Sequence, residues 1–155
     1  MSIYYLDASA WLKRYFEEAG SERMAELFEA SFDEGNILAT STLAYVEAAA
    51  LIGQQRAASR LDERKIDRLE RQLDADWQSL VQIEITSNMV GQAVEIARQY
   101  HLRGADAVHL AAALVLREGL AGSGGDLVFV AVDNRLLEAA RAAGLRIENP
   151  VSIAF

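Results

Sequence analysis

The sequence contains no cysteine, so neither a disulfide nor a thiolate metal site can form, and any bound metal must be held by oxygen or imidazole. A cysteine-free chain suits a reducing cytoplasm, and a cytoplasmic location is expected. Lysine is nearly absent, Lys13 and Lys65 being the only two. The opening stretch from Met1 to Trp11 lacks the basic segment and apolar run of a signal peptide. No apolar run approaches the roughly 20 residues of a membrane span. A soluble chain without a membrane partner is expected. Positive charge is scarce overall: the net charge is −8. That balance excludes a protein gripping nucleic acid over its whole surface, because Lys and Arg neutralising phosphates supply most non-specific affinity. An enzyme acting on nucleic acid with this charge needs a local basic strip, or a basic partner protein and metal ions that neutralise the acidic part.

What is present fits one domain spanning residues 1–155, a length at which folding buries roughly 70% of the unfolded surface. Ile3 to Leu6 is a short run of β-formers ending at Asp7, and Ser9 to Phe16 then has helical spacing. Ser21 restarts a helix through Met24, Leu27 and Phe28, stopped by Gly35-Asn36 before a second strand at Ile37 to Ala39. Ser41 or Thr42 caps a helix carrying Leu43, Val46, Glu47 and Leu51. The polar stretch Gln54 to Asp76, free of glycine and proline, reads as one exposed helix with Leu61, Ile66, Leu69 and Leu73 on its apolar side. A strand at Val81 to Ile85, a helix from Ser87 to Tyr100 and a buried helix from about Ala105 to Arg117 follow. The glycine-rich stretch Gly119 to Gly125 is a loop. Asp126 to Asp133 is the clearest buried strand, Leu136 to Ala143 is a helix stopped by Gly144, and Arg146-Ile147 adds an edge strand. Strands separated by helices predict a three-layer α/β/α fold with a mostly parallel central sheet of four or five strands. Ligands of such folds bind beyond the carboxyl ends of the strands.

Most acidic residues lie among other charges, as in Asp62-Glu63-Arg64-Lys65, and a solvated helix face explains them. Four stand in apolar surroundings: Asp7 after Tyr4-Tyr5-Leu6, Glu47 among alanine and leucine, Asp106 in Gly104 to Leu110, and Asp133 after Val128 to Val132. A carboxylate withdrawn from water is protonated, paired with a cation or bound to metal. Arg135 near Asp133 is the one cation taken into account close to these acids in sequence. Asp7 and Asp133 close two strands, and Glu47 and Asp106 lie in early helical turns near the same sheet edge, so all four are expected to converge. Helix capping is the competing account of Asp7 and Asp133. The helix dipole also favours Asp106, and a distant arginine can pair with Glu47. Oxygen-only ligation points to Mg²⁺, with Mn²⁺ as a substitute, and such ions activate water for in-line attack on phosphodiesters.

These residues together resemble the PIN-domain pattern, and more narrowly the VapC-like toxins of toxin–antitoxin pairs. The resemblance runs nearly end to end. Tyr5 to Ala10 is similar to the opening strand with its acid and nearby hydroxyl, Ser41 to Glu47 to the capped helix with the second acid, Gly104 to Ala111 to the third motif, and Val130 to Leu136 to the fourth. The resemblance implies a Mg²⁺-dependent endoribonuclease, a homodimer, held in check by a small antitoxin whose tail enters the acidic site. It implies that Asp7, Glu47 and Asp106 are the core ligands or water-orienting groups, that Asp133 is a more variable fourth, with Asn134 able to share its role, and that the Ser9 hydroxyl positions water or phosphate. A PIN-like module that binds RNA or protein without cutting is the alternative. A phosphoryl-transfer or receiver reading is opposed by Asp7-Ala8-Ser9, which lacks a second acid, and by the scarcity of lysine.

Other features carry two readings each. His109, three residues from Asp106, is a hydrogen-bonded core histidine or a ligand. Lys13 and Arg14 hold RNA phosphates or complement a helix end. Arg56, Arg60, Arg64, Arg68 and Arg71 form a basic stripe if the helix is continuous. Glu63 and Asp67 favour a self-paired, solvated face over an RNA track. The Gly119 to Gly125 loop lacks P-loop spacing.

Overall fold

The computed structural model describes residues 2–58 and 61–152. Strand β1 (Ser2–Leu6) is followed by α1 (Ala8–Leu12), α2 (Ser21–Asp33), β2 (Ile37–Ser41), α3 (Thr42–Ala57), α4 (Glu63–Ser79) and β3 (Val81–Ile83). Then come α5 (Ser87–Tyr100), α6 (Gly104–Gly119), β4 (Asp126–Val130), α7 (Asn134–Ala142) and β5 (Arg146–Glu148). The five strands form one sheet in the order β3-β2-β1-β4-β5, and every pairing is parallel. The expected α/β/α layering is what the chain adopts.

Strand periodicity places alternate residues on opposite faces. Ile3 and Tyr5 of β1, with Leu127 and Phe129 of β4, join the core beneath α5, α6 and α7. Leu6, Val128 and Val130 join the other core, beneath α1 to α4. The central strand β1 is therefore buried on both sides. After β1 the chain builds β2 and β3 on one flank, then returns to build β4 and β5 on the other. The edge beyond the carboxyl ends of β1 and β4 is thus a topological switch point, the place where open α/β sheets bind ligands.

Three expected elements change. The helix after β1 ends at Leu12, because the amides of Lys13, Arg14 and Tyr15 bond three residues back, to Ala10, Trp11 and Leu12, and tighten the turn. The strand after Leu127 ends at Val130, and Asp133 caps α7 rather than closing the strand. The stretch Gln54 to Asp76 is not one helix. α3 ends at Ala57, and the Asp62 carboxylate caps α4 by accepting from the Arg64 amide at 2.9 Å. The two helices fold back on each other so that Ile52, Ile66, Leu69 and Leu73 enter one core. The basic stripe is divided accordingly. Arg56 reaches across the hairpin to Glu63, Asp67 at 2.8 Å and Glu70 at 3.4 Å, while Arg64, Arg68 and Arg71 lie exposed on α4. Arg60 lies outside the described residues. Among the described residues no helix is long and apolar enough to cross a membrane.

Candidate active site

Asp7 follows the central strand directly, and its amide donates to the Val130 carbonyl at 3.0 Å, locking it between the ends of β1 and β4. The residue is 3% exposed. It caps α1: Oδ1 accepts from the Ala10 amide at 2.9 Å. The Ser9 hydroxyl lies 2.8 and 2.9 Å from its two oxygens. Ser9 itself is solvent-exposed. Burial raises the Asp7 pKa above the ordinary carboxylate value. His109, the Ala10 amide and Ser9 oppose the rise, and the charge of Asp106 adds to it. Capping and burial therefore coexist at one carboxylate, and the competing accounts of Asp7 are both part of its geometry.

Glu47 lies in the second turn of α3, whose first amides are capped by the buried Ser41 hydroxyl. Its partner is an imidazole, not the distant arginine allowed by the sequence. Glu47 Oε1 is 2.6 Å from His109 Nε2. The other ring nitrogen, Nδ1, is 2.9 Å from the Tyr5 hydroxyl. His109 and Tyr5 are fully enclosed, and Glu47 keeps 34% of its side chain exposed. Burial, reinforced by the charges of Asp7 and Glu47, pushes the Tyr5 phenol far above its ordinary pKa, with the neighbouring Ser41 opposing. His109 is thus the hydrogen-bonded core histidine, and what it bonds is one of the four acids.

Asp106 is in the first turn of α6 and 14% exposed. Arg103, immediately before that helix, donates Nε to Asp106 Oδ2 at 3.0 Å, and its NH2 lies 3.8 Å from Asp133 Oδ2. Asp133 caps α7, accepting from the Leu136 amide at 3.0 Å. Arg135 makes no ion pair with it among the described residues; Arg103 is the cation at this end of the site. The expectation that Asp106 stands without a nearby cation is therefore corrected. The spacing of three residues from Arg103 was visible in the sequence, and Arg103 is the site residue that the sequence reading missed. Tyr5 was missed as well. An alternating strand places it on the same face as Ile3 without revealing what its hydroxyl meets.

All four acids lie beyond the same edge of the sheet, but their side chains are parcelled among protein partners: Ser9 for Asp7, His109 for Glu47, Arg103 for Asp106 and Asp133. Among the described residues no three His, Asp or Glu side chains are gathered into a group that could hold a metal ion. The donor chemistry nonetheless fits a hard divalent cation. Asp7 is a buried carboxylate that makes no ion pair among the described residues, its charge is opposed by that of Asp106, and every available ligand atom on the four acids is oxygen. Arg103, 78% exposed, is free to swing aside.

Lys13 and Arg14 are committed elsewhere. Lys13 pairs with Glu18 at 3.1 Å. Arg14 grips Asp76 through Nε at 2.8 Å and NH2 at 3.3 Å and lies over the Phe28 ring. Neither is positioned as a phosphate clamp.

The PIN-domain family pattern matches residues 4–142. The chain belongs to the PIN-domain family. Over 147 residues it is 36% identical to Ribonuclease VapC45 of Mycobacterium tuberculosis (strain CDC 1551 / Oshkosh), covering 95% of each chain. The PIN fold recurs in solved structures of low identity. The crystal structure of VapBC2 from Rickettsia felis, bound to a DNA fragment from its promoter, superposes with a TM-score of 0.65 at 15% identity, covering 95% of this chain and 98% of that one. FitAcB from Neisseria gonorrhoeae superposes with a TM-score of 0.65 at 15% identity, covering 97% and 99%.

Proposed function

We infer that this PIN-domain chain is a metal-dependent endoribonuclease and the toxin of a toxin–antitoxin pair. The observation that carries the reading is Asp7, a buried carboxylate at the end of the central strand, surrounded by three further acids at the switch point of the sheet. The 36% identity to a VapC ribonuclease over nearly the whole chain supports RNA as the substrate class. A Mg²⁺ ion, or Mn²⁺ in its place, would be held by Asp7, Asp106 and Glu47, with Asp133 as a more exposed fourth ligand. When bound, the ion supplies a lowered pKa for attacking water and charge stabilisation for the phosphodiester oxygens.

The chain's own residues do the rest. Asp7, fixed by its amide bond to Val130 and its cap on α1, provides a ligand that does not move. The exposed Ser9 hydroxyl, bonded to both Asp7 oxygens, presents a polar edge to water or phosphate. Arg103 neutralises Asp106 and Asp133 in the free protein and is long enough to meet a scissile phosphate when a cation replaces it.

A net charge of −8 suits a basic antitoxin segment, whose Arg or Lys would occupy the acid cluster as Arg103 does in part. Val46 and Leu51 on α3 and Val90 and Val94 on α5 are large apolar side chains left in solvent, which supports a homodimer. The cytoplasm is the expected compartment for an enzyme acting on RNA.

The test is cleavage of a mixed-sequence RNA by purified chain in Mg²⁺, in Mn²⁺ and in chelator. Cleavage that needs the ion and disappears in Asp7→Asn and Asp106→Asn supports the reading. Cleavage that survives chelation, or both substitutions, overturns the metal site. RNA binding without cleavage in either ion favours the non-cutting module.

A further inference from the structure

The acid-bearing elements are joined to one another by a second, buried set of side chains. Strand β1 carries Asp7 and, two residues earlier, Tyr5. Helix α6 carries Asp106 and, one turn later, His109. Helix α3 carries Glu47 itself. The Tyr5 hydroxyl, the two nitrogens of His109 and Glu47 Oε1 form a continuous chain with steps of 2.9 and 2.6 Å. Each element that supplies one of the three proposed core ligands thus also supplies a member of this chain.

The protons along the chain can be assigned by counting. The Tyr5 phenol keeps its proton, since burial and the charges of Asp7 and Glu47 disfavour the phenolate. Tyr5 is 0% exposed, so a hydroxyl proton without an acceptor would carry a desolvation cost. His109 Nδ1 is the acceptor within reach. A ring that accepts at Nδ1 carries its own proton on Nε2, where Glu47 Oε1 receives it. A carboxylate is a strong acceptor for such an N–H, consistent with the 2.6 Å separation. Glu47 is thereby held by one oxygen, while Oε2 has no hydrogen-bond partner among the described residues and part of the side chain faces solvent.

We propose that His109 is a positioning residue for the acid cluster: Tyr5 fixes its ring as the Nε2–H tautomer, and that proton holds Glu47 by one oxygen so that the other stays available to a divalent cation. A histidine buried only for packing would be served by any two partners. Here the partners are a hydroxyl that sets the tautomer and a carboxylate beside Asp7. The role of Glu47 as a ligand rests on the function proposed above; the tautomer does not.

The ring state is read directly, in metal-free full-length protein near neutral pH, by nitrogen-15 NMR of the imidazoles. The chain has two histidines, and His101, exposed in the turn after α5, serves as the internal reference. A single Nε2–H tautomer for His109, giving way to a mixture in Tyr5→Phe, is expected. An Nδ1–H ring or an imidazolium in the wild type overturns the proposal. Mn²⁺ affinity, measured by titration calorimetry, is expected to fall about tenfold or more in His109→Leu, as when a group that orients a metal ligand is removed. His109→Gln, which offers an N–H in place of Nε2–H, should restore part of it, with circular dichroism and melting checking that each variant folds. Equal losses in His109→Leu and His109→Gln overturn the positioning role. A wild-type chain that takes up no Mn²⁺ overturns the metal reading of the acid cluster instead, and the tautomer then decides the proposal alone.

Discussion

Arg103 holds Asp106 at 3.0 Å and reaches toward Asp133 at 3.8 Å, so one exposed guanidinium stands over two acids at the carboxyl edge of the sheet. The neighbouring carboxylates raise its pKa, the hydrogen bond to Asp106 most of all, and it stays charged at any working pH. A divalent cation binding Asp106 must therefore displace it. Arg103→Ala should raise Mn²⁺ affinity severalfold in calorimetry while leaving the melting temperature nearly unchanged. Weaker Mn²⁺ binding in the variant would show that the guanidinium organises the acids rather than competing for them.

Asp7 makes stability depend on pH in the direction opposite to a salt-bridged carboxylate. An unfolded aspartate ionises near about 3.9, and burial in the fold raises that value. Between the two values the native state binds more protons. The contribution of this group is therefore fully present below about pH 4, by the reference value, and lost as pH rises through the folded pKa. Asp7→Asn removes the ionisation and keeps a competent cap. In chelator at pH 7.5 the variant should melt a few degrees above the wild type, with the gap closing toward pH 4. Mn²⁺ should reverse the order by stabilising only the wild type. A variant less stable than wild type across the whole range in chelator would mean that the Asp7 charge is compensated in the fold.

The sheet and its order of elements were legible because strand runs such as Leu127 to Val130 and caps such as Ser41 and Asp133 are written locally. The acids were legible because Asp7, Glu47 and Asp106 interrupt apolar sequence, a local signal of unusual burial. Pairing across the fold was not. Nothing local separates Gln54 to Asp76 into two helices, since the break at Asp62 is set by packing Ile52 against the same core as Ile66 and Leu73. The same hairpin sends Asp67 to Arg56, at 2.8 Å, and not to Arg71 four residues on. The apolar setting also did not guarantee burial. Asp133 follows a buried strand yet is exposed, because the chain turns outward after Ala131. Tyr5, 104 positions from His109, is tied to the site by a contact that no spacing rule reaches.

Asp76 organises the far side of the core. It accepts from Arg14 through two nitrogens and from the Tyr15 hydroxyl at 2.8 Å. Arg14 and Asp76 are mostly enclosed, at 19% and 14% exposure. Asp76→Ala leaves the guanidinium and the phenol without their acceptor and should cost about 2–3 kcal/mol in urea denaturation, below the upper range for a fully buried pair because some solvent reaches it. Adding Arg14→Leu should recover part of that loss by removing the stranded charge. Additive losses in the double variant would show that Arg14 contributes through its stacking on Phe28 rather than through Asp76.

Phe129 and Phe32 separate burial from residue type. Phe129 is fully buried on β4 and stacks on Tyr5 at 5.5 Å between ring centroids; Phe32 is 75% exposed near the end of α2. Phe129→Ala opens a cavity beneath the central strand and should cost about 3–5 kcal/mol, whereas Phe32→Ala should stay within about 0.5 kcal/mol. Urea denaturation with unchanged slopes measures both. The stack also supports one wall of the ring that donates to His109, so Phe129→Leu, which keeps much of the volume and loses the aromatic face, should leave the fold intact while loosening the His109 tautomer in the NMR spectrum. A tautomer unchanged in Phe129→Leu would show that the hydrogen bond to Tyr5 holds the ring without help from the stack.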